Sequence, residues 1–217
     1  MSVPGTRVKV CGLCSPTDAR AAARAGADAL GVILVPGSPR HVTIAEAAAI
    51  FEAAPASLKR VGVFVDSPLE DVASAAVLLG LSAVQLHGSE SPGFCRRLHV
   101  PVIKSFRVGA AFDPRRIEQY RGVVAAILLD TLVEGVAGGS GRAFHWESVA
   151  GIPQVAPLVV AGGLAPSNVG ATIRALRPCA VDVSSGVEET VRHKDPERLA
   201  AFITAVREAD DTREACA

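Results

Sequence analysis

The chain has 217 residues, 49% of them hydrophobic and 20% charged, which is enough apolar material for one domain with a sizeable core and too little charge for a disordered chain. Its 22 basic residues cancel its 22 acidic ones. That removes the broad positive field that nucleic acid or an anionic membrane requires, so any anionic ligand must be met locally.

No apolar run approaches the roughly 20 residues that span a bilayer, and the opening MSVPGTRVKV has no signal-peptide core. A soluble, cytoplasmic protein is expected. The five cysteines, at positions 11, 14, 95, 179 and 216, form an odd set and read as reduced thiols. Seven Phe, one Tyr and one Trp are too few for base-stacking platforms.

In chain order, β-branched runs begin at Arg7 (RVKVCG), Ala29 (ALGVIL), Arg60 (RVGVFVD), Ala83 (AVQLHG), Pro101 (PVIKSFRV), Ala125 (AAILLD), Pro157 (PLVVAGG) and Ala180 (AVDVSSG). Ala/Leu-rich stretches follow them, the one after the sixth being short, and starts recur at roughly 20 to 30 residues, the length of a βα unit. Helix starts are marked by Ser15-Pro16-Thr17-Asp18, Thr43 to Glu46, Ser67-Pro68-Leu69-Glu70, Asp113-Pro114 and Asp195-Pro196. Several strands are apolar nearly throughout, as in a parallel sheet covered on both faces. Eight units imply a single (β/α)8 barrel over residues 1–217 with a frayed tail at 209–217. The competing doubly wound sheet calls for a glycine fingerprint after strand one, and Cys11-Gly12-Leu13-Cys14 is none.

In such a barrel the site lies at the carboxyl ends of the strands. The polar residues there are Lys9 and Cys11, Arg40 and His41, Asp66, Gln85 and His87, Arg107, Asp130, then Asp182 and Ser184. Gly162-Gly163 and Ser184-Ser185-Gly186 let backbone N–H groups approach an anion, with a short helical turn starting near Ser185, so a phosphate site is expected there. The loop 135–141, with four glycines, suits a lid beside Asp130. Cys11 and Asp130, on strands that are not neighbours, suit base and acid work from two sides of a small substrate, provided Lys9 or another positive charge lowers the thiol. A buried structural cysteine is the plainer reading of composition alone. Cys11-x-x-Cys14 lacks the further ligands of a zinc site, and a dithiol role is not excluded by spacing. Arg40, on a proline-stiffened loop, has the planar fork that suits a carboxylate.

The segments VKVCGL (8–13), SPRHV (38–42), VGVFVD (61–66), VQLHG (84–88), LLDT (128–131), GGSGRAFHW (138–146), VVAGGLAPSNV (159–169) and VDVSSGVE (181–188), with HKD at 193–195, together resemble the phosphoribosylanthranilate isomerase family of tryptophan biosynthesis. The resemblance implies a cofactor-free, metal-free Amadori rearrangement of N-(5-phosphoribosyl)anthranilate. It casts Cys11 as general base and Asp130 as general acid, with the first pKa lowered and the second raised. It places Arg40 at the anthranilate carboxylate, Asp182 by the substrate, and the phosphate on Gly162, Gly163, Ser185 and Gly186; Lys9 and His87, from their places at strand ends, are further substrate-binding candidates. The partner is then a small molecule, with no nucleic acid or membrane, and the protein a monomer or homodimer. Phe144-His145-Trp146 departs from a frequent Phe-Asp-Trp, and Cys14 stands where a hydroxyl is common. Two rivals are a histidine-pathway phosphosugar isomerase, which looks to an aspartate at the position of Cys11, and a barrel that only binds a phosphometabolite.

Overall fold

The computed structural model describes residues 5–109, 112–130 and 152–214. Parallel strands β1 (Arg7–Val10), β2 (Ala29–Ile33), β3 (Lys59–Phe64), β4 (Ala83–Leu86), β5 (Val102–Arg107), β6 (Ala126–Asp130), β7 (Leu158–Ala161) and β8 (Ala180–Val183) pair in chain order and close into a barrel. Closure is made by β1 against β8, with Lys9 opposite Asp182 and Val10 opposite Val183. The expected (β/α)8 architecture is therefore present, and the open doubly wound sheet is excluded because its edge strands would not meet. Helices α1 (Pro16–Ala25), α2 (Ile44–Glu52), α3 (Leu69–Leu78), α4 (Pro92–Arg96), α5 (Arg115–Glu118), α6 (Val169–Leu176) and α7 (Pro196–Glu214) are described around it. Between β8 and α7 lies a small antiparallel pair, β9 (Glu188–Thr190) and β10 (His193–Lys194). None of the described helices is long and apolar enough to cross a membrane.

Alternate strand residues face opposite ways, so each strand serves two layers. Val8, Val10, Leu30, Val32, Val84, Leu86 and Val181 face outward and join Leu199, Phe202 and Val206 of α7 in the main core. Ala126, Leu128, Val159 and Ala161, with Ile103 and Ala180, form a separate apolar cluster inside the barrel. Every residue of β6 is buried, which is why that strand reads as an unbroken apolar run before Asp130.

Helix starts follow the capping chemistry at most expected places. Ser15 accepts from the Asp18 amide, and Thr43 forms a full capping box with Glu46. Asp113 Oδ1 accepts from the Arg115 amide, and Asp195 Oδ1 from those of Glu197 and Arg198. Ser67 is the exception. Pro68, at ψ 144°, is still extended, so α3 begins one residue later and its start has no side-chain cap.

The frayed tail expected over 209–217 is corrected for residues 209–214, and residues 215–217 lie outside the described residues. Helix α7 runs to Glu214, Ala209 is buried, and Asp210 accepts from Thr6 N at 2.6 Å and Thr6 Oγ1 at 2.7 Å. Arg207 Nη1 donates to Thr6 O at 2.7 Å. The polar side chain of Asp210 thus serves a clamp on the segment leading into β1, and hydrophilicity alone misread it. Replacing Asp210→Ala removes the two hydrogen bonds its carboxylate accepts from Thr6, so we expect a loss of about 1–3 kcal/mol in unfolding free energy, read by urea denaturation.

Candidate active site

Strand β1 carries Lys9 and, just beyond its end, Cys11. A Cβ built on Gly31 of β2 would lie 2.9 Å from Lys9 Cε and 3.0 Å from Cys11 Sγ, so both side chains lean into the barrel over a position that only glycine leaves open. Lys9 Nζ donates to Asp182 Oδ2 of β8 at 2.8 Å, with both side chains buried. Burial alone would depress the Lys9 ammonium, but Asp182 and Cys11 outweigh it and hold its pKa above the ordinary value. Burial pushes the Cys11 thiol up, against the pull of Lys9 and Lys194. This direction is opposite to the lowered thiol expected from the sequence. Desolvation of sulfur outweighs the neighbouring cations.

On the far side, Asp130 ends β6. Its Oδ2 lies 3.3 Å from His87 Nε2 without an aligned hydrogen bond, and His87 Nδ1 is 3.4 Å from Gln85 Nε2. Burial and the neighbouring Asp130 push the Asp182 carboxyl up, while Lys9 and His87 pull it down. The two sides are thus electrostatically continuous through Asp182. Gln85 Oε1, Ser105 Oγ, Asp130 Oδ1, Asp182 Oδ1 and Ser184 Oγ are buried with no hydrogen-bond partner among the described residues. Buried polar atoms are normally paired. A cluster of unpaired ones at the ends of β4, β5, β6 and β8 marks the polar end of the interior as a place for a ligand.

Arg40 reaches the same region. A Cβ on Gly12 would lie 2.6 Å from Arg40 Cδ and 2.9 Å from Ser184 Oγ, so Arg40 and Ser184 pack directly over the residue next to Cys11. The guanidinium makes a bidentate contact with Glu188, Nε to Oε1 at 2.7 Å and Nη2 to Oε2 at 2.6 Å. Lys194 Nζ donates to the same Oε1 at 3.0 Å and to Ser184 O at 3.0 Å.

The loops after β7 and β8 meet each other. Gly162 (φ 89°) and Gly163 (φ 60°) are left-handed, and Asn168 pins their loop by donating to Gly163 O at 2.9 Å and accepting from the Ala165 amide at 2.8 Å. A Cβ on Gly186 would overlap the carbonyl oxygen of Leu164. A 3-10 turn at Ser185–Val187 occupies the expected place.

Three expected candidates fall outside this cluster. Asp66 is left-handed, φ 49°, and accepts from the amide and hydroxyl of Ser89, a turn contact. His41 forms an isolated bridge with Ile33, and its carbonyl accepts from Arg192. Arg107 is exposed at the end of β5. Cys14 donates to the carbonyls of Gly12 and Arg40 at 3.5 and 3.6 Å, which uses its thiol locally. The glycine loop 135–141 and Phe144-His145-Trp146 lie outside the described residues. Sequence reasoning missed Gly31, Asn168, Glu188 and Lys194. It also missed Lys104, an outward-facing buried lysine that donates to Glu90 and to the carbonyls of Leu86 and Gly88, on either side of His87.

A closed barrel with a buried polar cluster at the carboxyl ends of its strands defines the class, a (β/α)8-barrel enzyme. A family model described as N-(5'-phosphoribosyl)anthranilate (PRA) isomerase matches residues 8–205. The N-(5'-phosphoribosyl)anthranilate isomerase of Acidithiobacillus ferrooxidans is 43% identical over 205 residues, 94% of this chain and 99% of the relative. A solved phosphoribosyl anthranilate isomerase in complex with reduced 1-(o-carboxyphenylamino)-1-deoxyribulose 5-phosphate is similar at TM-score 0.81 and 36% identity, covering 94% of this chain and 99% of that one. Monomers of the dimeric phosphoribosylanthranilate isomerase from Thermotoga maritima match at TM-score 0.80 and 35% identity, with 94% and 99% covered. The chain belongs to the N-(5'-phosphoribosyl)anthranilate isomerase family.

The Lys9 contact makes a prediction for the thiol. Because the ammonium favours the sulfur anion, Lys9→Met is expected to move the pH profile of Cys11 alkylation to higher pH, followed by mass spectrometry at that peptide. An unmoved profile would show that another group sets the thiol.

Proposed function

We propose that the chain catalyses the Amadori rearrangement of N-(5-phosphoribosyl)anthranilate to 1-(2-carboxyphenylamino)-1-deoxyribulose 5-phosphate, the isomerisation that serves tryptophan biosynthesis, with Asp130 as general acid and Cys11 as general base. One observation carries the residue assignment: a thiol just past β1 beside the ammonium on that strand, and a carboxyl on β6 with an oxygen unpartnered among the described residues, both border one buried polar interior linked through Asp182.

The chemistry proceeds in proton transfers. Asp130 gives its proton to the furanose ring oxygen as the C1–O bond breaks and the nitrogen lone pair forms a C1=N bond. The resulting iminium draws electrons from the neighbouring C2–H bond. The Cys11 thiolate takes that proton, the C–H pair becomes the C1=C2 bond, and the C=N pair returns to nitrogen. The enolamine then gains a proton at C1 and loses its hydroxyl proton to become the ketone, while Asp130 and Cys11 exchange protons with water. The iminium is itself the electron sink, so the reading includes no metal and no cofactor. Burial favours neutral Cys11 before substrate arrives, and two positive groups, Lys9 and the iminium, favour its anion at the moment it is needed.

In this reading Asp182, with Oδ1 unpartnered, accepts from a sugar hydroxyl, and His87 stands against Asp130 beside the substrate. Lys9 acts next to both Asp182 and Cys11. Gly162, Gly163, Ser185 and Gly186 take the phosphate, supported by two small-residue loops in direct contact. Arg40 meets the anthranilate carboxylate. A histidine-pathway isomerase is disfavoured by a cysteine at position 11, and a binder without catalysis has no use for a facing acid and base. The wider proposal is a single-domain, cytoplasmic protein, a monomer or homodimer, binding this small molecule and neither nucleic acid nor membrane. Four free thiols among the described residues, Cys179 exposed, fit a reducing compartment.

Cys11→Ser and Asp130→Asn are each expected to lower kcat by about 10²- to 10⁴-fold, read from the fluorescence change as the anthranilate substrate is consumed. Turnover near that of the unsubstituted protein in either variant defeats the assignment. Arg40→Ala is expected to raise KM by about tenfold or more with a smaller effect on kcat. An unchanged KM removes Arg40 from the carboxylate.

A further inference from the structure

Glu188 opens β9 and is 6% exposed, and both its oxygens are engaged by cations. Oε1 accepts from Arg40 Nε at 2.7 Å and Lys194 Nζ at 3.0 Å, and Oε2 from Arg40 Nη2 at 2.6 Å. Its own carbonyl accepts from Arg198 Nη1. The carboxylate is therefore fixed from its backbone and from its head. Lys194, buried and also tied to Ser184 O, keeps the group in register with the loop that carries Ser185 and Gly186.

The arrangement divides the Arg40 guanidinium into two edges. The Nε and Nη2 edge is spent on Glu188. The end-on edge, Nη1 with the outer hydrogen of Nη2, has no partner among the described residues. A guanidinium is a planar fork whose two edges can each take a carboxylate in bidentate fashion. Two cations around one carboxylate also leave the cluster with a surplus positive charge, which favours a second anion. We infer that Glu188 is a positioning residue: it grips Arg40 by one edge so that the other is presented, already oriented, to the carboxylate of the substrate. This rests on the reading of Arg40 given above. The opposite idea, that Glu188 competes with substrate for Arg40, requires both carboxylates to use the same edge.

The sign of one measurement separates these. Dissociation constants are measured by calorimetry for reduced 1-(o-carboxyphenylamino)-1-deoxyribulose 5-phosphate and for its anilino counterpart, which lacks the carboxylate. Glu188→Gln is expected to weaken the first ligand about tenfold and the second less than twofold. Combining it with Arg40→Ala is expected to be no worse than Arg40→Ala alone. Tighter binding of the first ligand makes Glu188 a competitor, and equal weakening of both makes it merely structural; either overturns the proposal. Should Glu188→Gln fail to fold around Lys194, Glu188→Asp keeps the charge, withdraws it by one methylene, and is judged by the same selectivity. Equal loss on both ligands in Arg40→Ala sinks the carboxylate role of Arg40 itself. Selective loss there, with none in the Glu188 variants, sinks only the inference about Glu188.

Discussion

The contact between Lys9 and Asp182 is the one on which the rest of the site depends. It joins the strands that close the barrel, at the register where β1 and β8 sit opposite each other. A buried ion pair stripped of one partner leaves an uncompensated charge worth about 3–5 kcal/mol. Neither residue can therefore change without loading the seam. The same contact places the ammonium next to Cys11, and Gly31 leaves the space in which both side chains lie. Closure and the environment of the sulfur are set by one interaction.

Around that seam the charges are sorted by side. Lys9, Lys194 and Arg40 surround the thiol, while Asp130 stands with His87 and within the field of Asp182. Cations favour a sulfur anion, and Asp130 pushes the Asp182 carboxyl up while Lys9 and His87 pull it down. The chain is neutral as a whole, so this asymmetry is local and owes nothing to a global field. Burial opposes the Cys11 thiolate, against the pull of Lys9 and Lys194.

The barrel was legible in the sequence because its strands are covered on both faces and so appear as apolar runs, punctuated by caps at Ser15, Thr43 and Asp195. Cys11, Asp130 and the two glycine loops were legible because strand ends are where polar residues interrupt those runs. Asp66 and Arg107 share that signal and yet serve a turn and the solvent. Position at a strand end gives no side-chain direction. Glu188 and Lys194 were out of reach for another reason. They lie on strands of three and two residues, too short to show a period, and Glu188 meets Arg40 across 148 residues of chain. Gly31 reads as an ordinary strand glycine until the side chains filling its space are known. The tail was misread because Asp210 is polar for the sake of Thr6, a partner 204 residues away.

Stability alone would not produce this interior. Its apolar cluster draws on β5 to β8, and a similar filling at the ends of the strands would stabilise the barrel at least as well as buried ion pairs, which often do no better than apolar groups of the same volume. The observed filling is Lys9, Asp182, Gln85, Ser105 and Asp130, with several oxygens unpaired among the described residues. Each such oxygen costs about 1–3 kcal/mol when nothing satisfies it. Most of the buried side-chain atoms left without a partner among the described residues gather at one end of the barrel, and such a concentrated violation is what a functional site imposes on a fold. The Glu188 cluster obeys a different logic, since there both carboxylate oxygens are satisfied. Its satisfied groups tie Arg40 to the Ser184 loop through Lys194, in contrast to the interior atoms that have no partner among the described residues.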